Sequence, residues 1–130
     1  MIKKYGHTVE GFKRIYENEN WTVALKNAGE SNRRDHVNCL ERHNCSDEIF
    51  ILLTGSAVMM EGEVSNKTVV GIKEEMMELN KLYLIPQGVW HNTYMMEGAR
   101  FVIIENCDTS YENTDVVEFV DIKREVTDFA

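Results

Sequence analysis

No stretch of this chain carries a sustained helical period, and that constrains its fold more than any other feature. Apolar residues come instead in short β-type runs separated by turn-forming residues. Trp21, Val23 and Leu25 alternate with Thr22, Ala24 and Lys26, a period of two that divides side chains between the two faces of a strand. The run from Glu48 to Thr54 is almost wholly apolar after its first residue and stops at Gly55, as a buried strand does at a tight turn. Residues 35–42, 56–61, 68–72 and 82–85 read as further strands. Turn chemistry falls at 44–47, 61–67 and 86–88. Residues 90–95 and 99–106 are expected to form a hairpin around Glu97 and Gly98. Residues 72–79 suit either a strand with one charged face or a helical turn. Residues 1–19, 116–120 and 123–130 admit more than one state.

Many short strands with glycine turns imply a sandwich or barrel. A length of 130 residues suits one domain, and a hydrophobic share of 43% is enough to build its core. The expectation is therefore an all-β, single-domain jelly-roll β-barrel over residues 1–130. Such a barrel leaves a mouth where inward side chains can meet a small ligand.

The formal net charge of −8 excludes the basic face that binding to nucleic acid or to an anionic membrane requires. No apolar run approaches the ~20 residues that span a bilayer, and no apolar leader core follows the first residues. The cysteines, Cys39, Cys45 and Cys107, are odd in number, as reduced thiols in a cytosol would be. A soluble, cytoplasmic protein is expected.

Four possible metal ligands fall into two short clusters. Glu41 and His43 are two residues apart, so on a strand they share a face at a spacing of ~7 Å. Glu48 opens the next strand after a turn, and His91 follows the turn at 86–88. Two imidazoles and two carboxylates satisfy a five- or six-coordinate divalent ion. The carboxylates make the site hard, favouring Mn or Fe over Zn or Ni. Glu41 and Glu48 are also the candidate general bases. His7 and His36 read as surface histidines. Tyr83, Tyr94, Met59 and Phe101 are candidates to line a pocket or pack the core, and Arg100 is a candidate grip for an anion.

His43, Glu48 and Gly55 stand at the spacing of the first cupin motif, and Pro86, Gly88 and His91 at that of the second. Over residues 35–104 the chain resembles the cupin superfamily. The resemblance implies a jelly-roll barrel, ligand positions at His43, Glu48 and His91, and a homodimer. Glu41 stands where that family ordinarily has a histidine, Asp35 and Asn80 where it has glycines, and Met95 where it has asparagine. Strands carrying Trp21 and Trp90 are candidate dimer faces. Three functions fit: a metal-dependent enzyme of isomerase, lyase or dioxygenase type acting on a small polar metabolite; a metal-free cupin that binds or isomerises sugars or nucleotide sugars; or a non-enzymatic ligand-binding module.

Overall fold

A computed structural model describes residues 1–119 and 124–127. Among them are eleven strands: β1 (Gly11–Glu17), β2 (Trp21–Asn27), β3 (Cys39–His43), β4 (Glu48–Thr54), β5 (Ala57–Ser65), β6 (Thr68–Met76), β7 (Leu82–Ile85), β8 (His91–Met95), β9 (Arg100–Asn106), β10 (Thr114–Glu118) and β11 (Arg124–Thr127). They form a five-stranded sheet, β1-β2-β9-β4-β7, and a six-stranded sheet, β10-β3-β8-β5-β6-β11. Every pairing is antiparallel except that of β6 with β11. The all-β expectation holds, and no helix among the described residues is long and apolar enough to cross a membrane.

Local alternation extends several strands beyond their apolar runs. Residues 61–67 were expected to be a loop, yet β5 runs on through Ser65. The turn shrinks to Asn66 and Lys67, both at positive φ (50° and 62°), as the twist of a two-residue hairpin demands. Residues 72–76 continue β6 because Ile72 and Glu74 are buried while Lys73 and Glu75 are exposed, a period of two that no helix gives. Residues 35–42 differ in the other direction. Arg34–His36 is a single 3-10 turn, and β3 starts only at Cys39. Residues 120, 123 and 128–130 of the two open C-terminal segments lie outside the described residues.

The hairpin expected at 90–106 does not form. β8 pairs with β3 and β5, whereas β9 pairs with β2 and β4, so residues 96–99 cross from one sheet to the other. Both strands carry an inward apolar set, and these sets meet face to face across the core rather than side by side. Met95 and Phe101 belong to one cluster with Phe50, Leu52, Met59 and Ile103 between the sheets.

The six-stranded sheet also covers its other face. Val58 and Met60 alternate with Ala57 and Met59, and they pack with Leu40, Val69, Ile72 and Tyr94 in a second cluster. The outer face of the five-stranded sheet lacks such a cover among the described residues. There Trp21, Leu53, Leu82 and Leu84 are 43%, 37%, 58% and 54% exposed.

Candidate metal centre

Three strands and a turn bring the centre together. Glu41 and His43 face inward from β3, and His91 opens β8 directly opposite Glu41 in register. Glu48 opens β4, which lies in the facing sheet. Each of the four offers one ligand atom, and these atoms all lie within 4.8 Å of one another. Donors at ~2.1 Å from one ion stand at most ~4.2 Å apart, so the set closes on an ion with a small side-chain adjustment. Glu41, 38% exposed, has the freedom to make it.

The contacts within the centre are specific. One oxygen of Glu48, Oε1, lies 3.1 Å from His43 Nε2 and 2.7 Å from His91 Nε2. His43 Nδ1 meets the Thr114 hydroxyl at 2.9 Å. His91 Nδ1 is 2.9 Å from the Val89 carbonyl, which can only accept, so Nδ1 carries the proton. The Nε2 atom of neutral His91 therefore aims a lone pair at a carboxylate lone pair 2.7 Å away. That arrangement needs a proton or a metal cation between the two atoms, and the donor set fits either.

Electrostatics follow the same geometry. Burial pushes the Glu48 carboxyl up, but hydrogen bonds from His43 and His91 and their charges outweigh it and hold the group at about 2. Burial pulls both imidazoles down, and the hydrogen bond to Glu48 with its charge raises each above the ordinary histidine value. Phe50 packs edge-on to the His91 ring at 6.3 Å and to Phe101 at 5.3 Å, which walls the centre on its core side.

Two interior charges were not singled out in the sequence. Glu105 on β9 lies opposite Glu48 in register. Its Oε2 is 3.9 Å from His43 Nε2, and Arg14 approaches its Oε1 at 3.6 Å. Burial, then the neighbouring Glu48 charge, lifts its carboxyl to about 7. Lys26 on β2 shares the inward face of Thr22 and Ala24, which are 0% and 1% exposed. Strand parity carried the signal in both cases. Glu105 has the parity of buried Phe101 and Ile103, and Lys26 lies on the face away from Trp21, Val23 and Leu25.

The remaining candidates lie elsewhere. Met59 and Phe101 are in the core between the sheets, and Tyr83 packs against it while its hydroxyl accepts the Glu78 amide. Tyr94 faces the second cluster, away from the centre, because it is one residue out of phase with Thr93 and Met95. Trp90 joins that cluster with the Arg42 guanidinium 4.6 Å over its ring. Arg100 donates to Asn27 Oδ1 at 2.8 Å and to the His7 carbonyl at 3.2 Å, so it ties down the N-terminal segment instead of reaching into the barrel. His36 is exposed. A cavity of about 970 Å³ lies beside the 28–35 loop, lined by Arg33, Arg34, Glu74, Tyr94 and Met96 among others, and none of the four centre residues borders it.

The sequence matches no protein-family model and no curated protein. Solved structures do match. A cupin-2 domain protein from Shewanella frigidimarina superposes with a TM-score of 0.54 at 18% identity, covering 78% of this chain and 84% of its own. The Streptomyces protein Pac13, described as a nucleoside dehydratase and also solved with uridine, superposes with a TM-score of 0.60 at 15% identity, covering 92% of this chain and 95% of its own. The fold is that of the cupins. KdgF from Halomonas shares the cupin fold with a TM-score of 0.50 at 14% identity, over 80% of this chain and 86% of its own. Within this fold the centre lies between the two sheets, as a ligand site at the mouth of a barrel does.

Proposed function

We propose that this cupin binds a small polar metabolite at a single divalent metal ion held by Glu41, His43, Glu48 and His91, and that it acts on that metabolite as an enzyme. The contact between His91 Nε2 and Glu48 Oε1 supports this reading most directly. With Nδ1 committed to Val89, two lone pairs converge on one point, as two ligands of one cation do. A bound ion would supply Lewis acidity toward a carbonyl or a water. Two imidazoles and two carboxylates suit Mn or Fe, then Zn or Ni.

The protein side chains have separable tasks. Val89 and Thr114 fix the two imidazoles in orientation. Glu48 stays ionised at neutral pH and serves as ligand rather than base. Glu41, reached by solvent, is the carboxylate free to take a proton from a bound molecule. Glu105, with a pKa of about 7, holds or releases a proton at physiological pH, which suits general acid–base work.

Elemental analysis of untagged protein, purified without chelators, tests the metal. Near one equivalent of Mn, Fe, Zn or Ni is expected in the wild type, and a clear loss of it in His91→Ala, since removing even an outer-shell partner of a ligand weakens metal affinity about 10–100-fold. No metal in either protein after reconstitution would sink the reading.

The same contact favours one alternative. A proton between His91 and Glu48 satisfies it equally well, giving a metal-free centre in which an imidazolium serves as acid and Glu41 as base. Sugar or nucleoside ligands would then be the class to screen, as the uridine bound by Pac13 suggests.

The bare apolar face of the five-stranded sheet supports a homodimer through Trp21, Leu53, Leu82 and Leu84. Trp90 is taken up within the chain and does not contribute. Light scattering should give twice the chain mass of 15.1 kDa, falling to one chain in Leu82→Lys/Leu84→Lys. A monomeric wild type would refute the dimer.

A further inference from the structure

Lys26 is a cation on the inward face of β2 that no side chain contacts directly among the described residues. Among the described residues it makes no hydrogen bond and no ion pair within 4 Å, although Glu41 and Glu48 lie close enough for their charges to act on it. Burial is the largest influence on its amine and pulls it below the ordinary lysine value. Enclosing an ammonium without a counter-ion is unfavourable, so a lysine at this place costs stability unless something else meets it. Lys26 is only half-buried, and with Glu41 it belongs to the part of the interior that solvent reaches, while His43, Glu48 and His91 are all buried.

The charge balance around the centre points the same way. A divalent ion would be cancelled by Glu41 and Glu48. Glu105 faces the Arg14 guanidinium at 3.6 Å, so that pair cancels itself. Lys26 is then the positive group left over, and one monoanion neutralises the interior.

We propose that Lys26 grips the carboxylate of the ligand, so that the molecule taken up at the centre is a small carboxylic acid. This rests on the reading that the centre binds a small polar metabolite at a divalent ion, which leaves Lys26 as the unbalanced charge. The carboxylate lies against the Lys26 ammonium at the solvent-reached side, and the rest of the molecule extends toward Glu41 and the imidazoles. An ion pair in a partly desolvated site is strong enough to discriminate an acid from its neutral ester.

The test is titration calorimetry with acetate, pyruvate and malonate, each compared with its methyl ester, on wild type, Lys26→Met and Lys26→Arg, with metal content measured on every sample. At least one acid should bind wild type about tenfold or more tightly than its ester, a factor equal to ~1.4 kcal/mol. Lys26→Met should lose that preference while keeping its metal content, and Lys26→Arg should retain it. Without ligand, Lys26→Met should melt no lower than wild type, since it removes a partly desolvated ammonium that no side chain contacts; a lysine serving only to brace Glu41 and Glu48 would lower the melting temperature when replaced. Wild type that prefers none of the three acids overturns the proposal, as does an unchanged preference in Lys26→Met. A metal-free wild type with a Lys26-dependent preference supports the lysine role while refuting the metal. A metal-loaded protein whose acid preference ignores Lys26 does the reverse.

Discussion

Glu48→Ala is expected to destabilise the metal-free protein by about 3–5 kcal/mol at pH 5, the cost of breaking a buried, hydrogen-bonded charge pair, and by no more than about 1 kcal/mol at pH 9, where the imidazoles are neutral and the desolvation of the buried carboxylate offsets the hydrogen bonds it still accepts. Glu48 is depressed to about 2 from 4.5, so its share of stability is complete above pH 4.5 and is lost as pH falls through 2. His43 and His91 are raised above 6.5, so their share is complete below pH 6.5 and is lost as pH rises through their shifted values. Between pH 4.5 and 6.5 all three groups are charged and mutually satisfied. Alanine at position 48 removes the largest influence favouring the two imidazolium ions and leaves burial, which resists protonation, opposed only by Glu41, by Glu105 at His43 and by the Val89 carbonyl at His91. Urea unfolding midpoints at pH 5, 7 and 9 read the difference. An equal loss at all three would mean that the contact is not ionic.

Gly55→Ala should cost about 2–5 kcal/mol, the sum of a left-handed backbone at ~1–2 kcal/mol and overpacking at ~1–3 kcal/mol. Gly55 has φ +75°, and a Cβ there would stand 2.6 Å from the N and Cα atoms of Ala99. These are backbone atoms of the crossing between β8 and β9, so they cannot swing aside as a side chain would. Gly88 provides the control. Its φ is +85°, yet a Cβ there meets nothing within 4 Å, so Gly88→Ala should cost only the backbone share, about 1–2 kcal/mol. Thermal melts of the two variants should therefore separate clearly. Equal losses would show that the approach of residues 98 and 99 to Gly55 is looser than described.

The sequence made legible those elements whose cues are local. Alternation at Trp21–Leu25, the apolar run closed by Gly55, and the turn before His91 each depend on neighbours a few residues away, and all three hold in the structure. The grouping of Glu41, His43 and Glu48 followed from strand spacing plus one turn, and His91 from motif spacing, and the structure brings all four together. What the sequence concealed depends on which sheet a strand joins. Glu97 and Gly98 look like a hairpin tip, because nothing local distinguishes a turn within a sheet from a crossing between sheets. Tyr94, a candidate for pocket or core on residue type, packs in the second cluster and borders the cavity beside the 28–35 loop, and its parity alone places it on the face of β8 away from the centre. Lys26 and Glu105 have interior parity, but a single charged residue within a strand carries no local mark that tells a barrel interior from solvent.

That crossing at residues 96–99 has a kinetic consequence. Glu48, Glu105 and Lys26 come from one sheet, while Glu41, His43 and His91 come from the other, so neither sheet alone carries a usable centre. Binding energy gained there exists only once the sheets have docked, late on the folding route. Interactions absent from the transition state slow unfolding and leave the folding rate nearly unchanged. In a chevron plot, saturating ligand should lower the unfolding limb and leave the refolding limb in place, so that an occupied barrel is set apart by how long it stays closed rather than by how fast it forms.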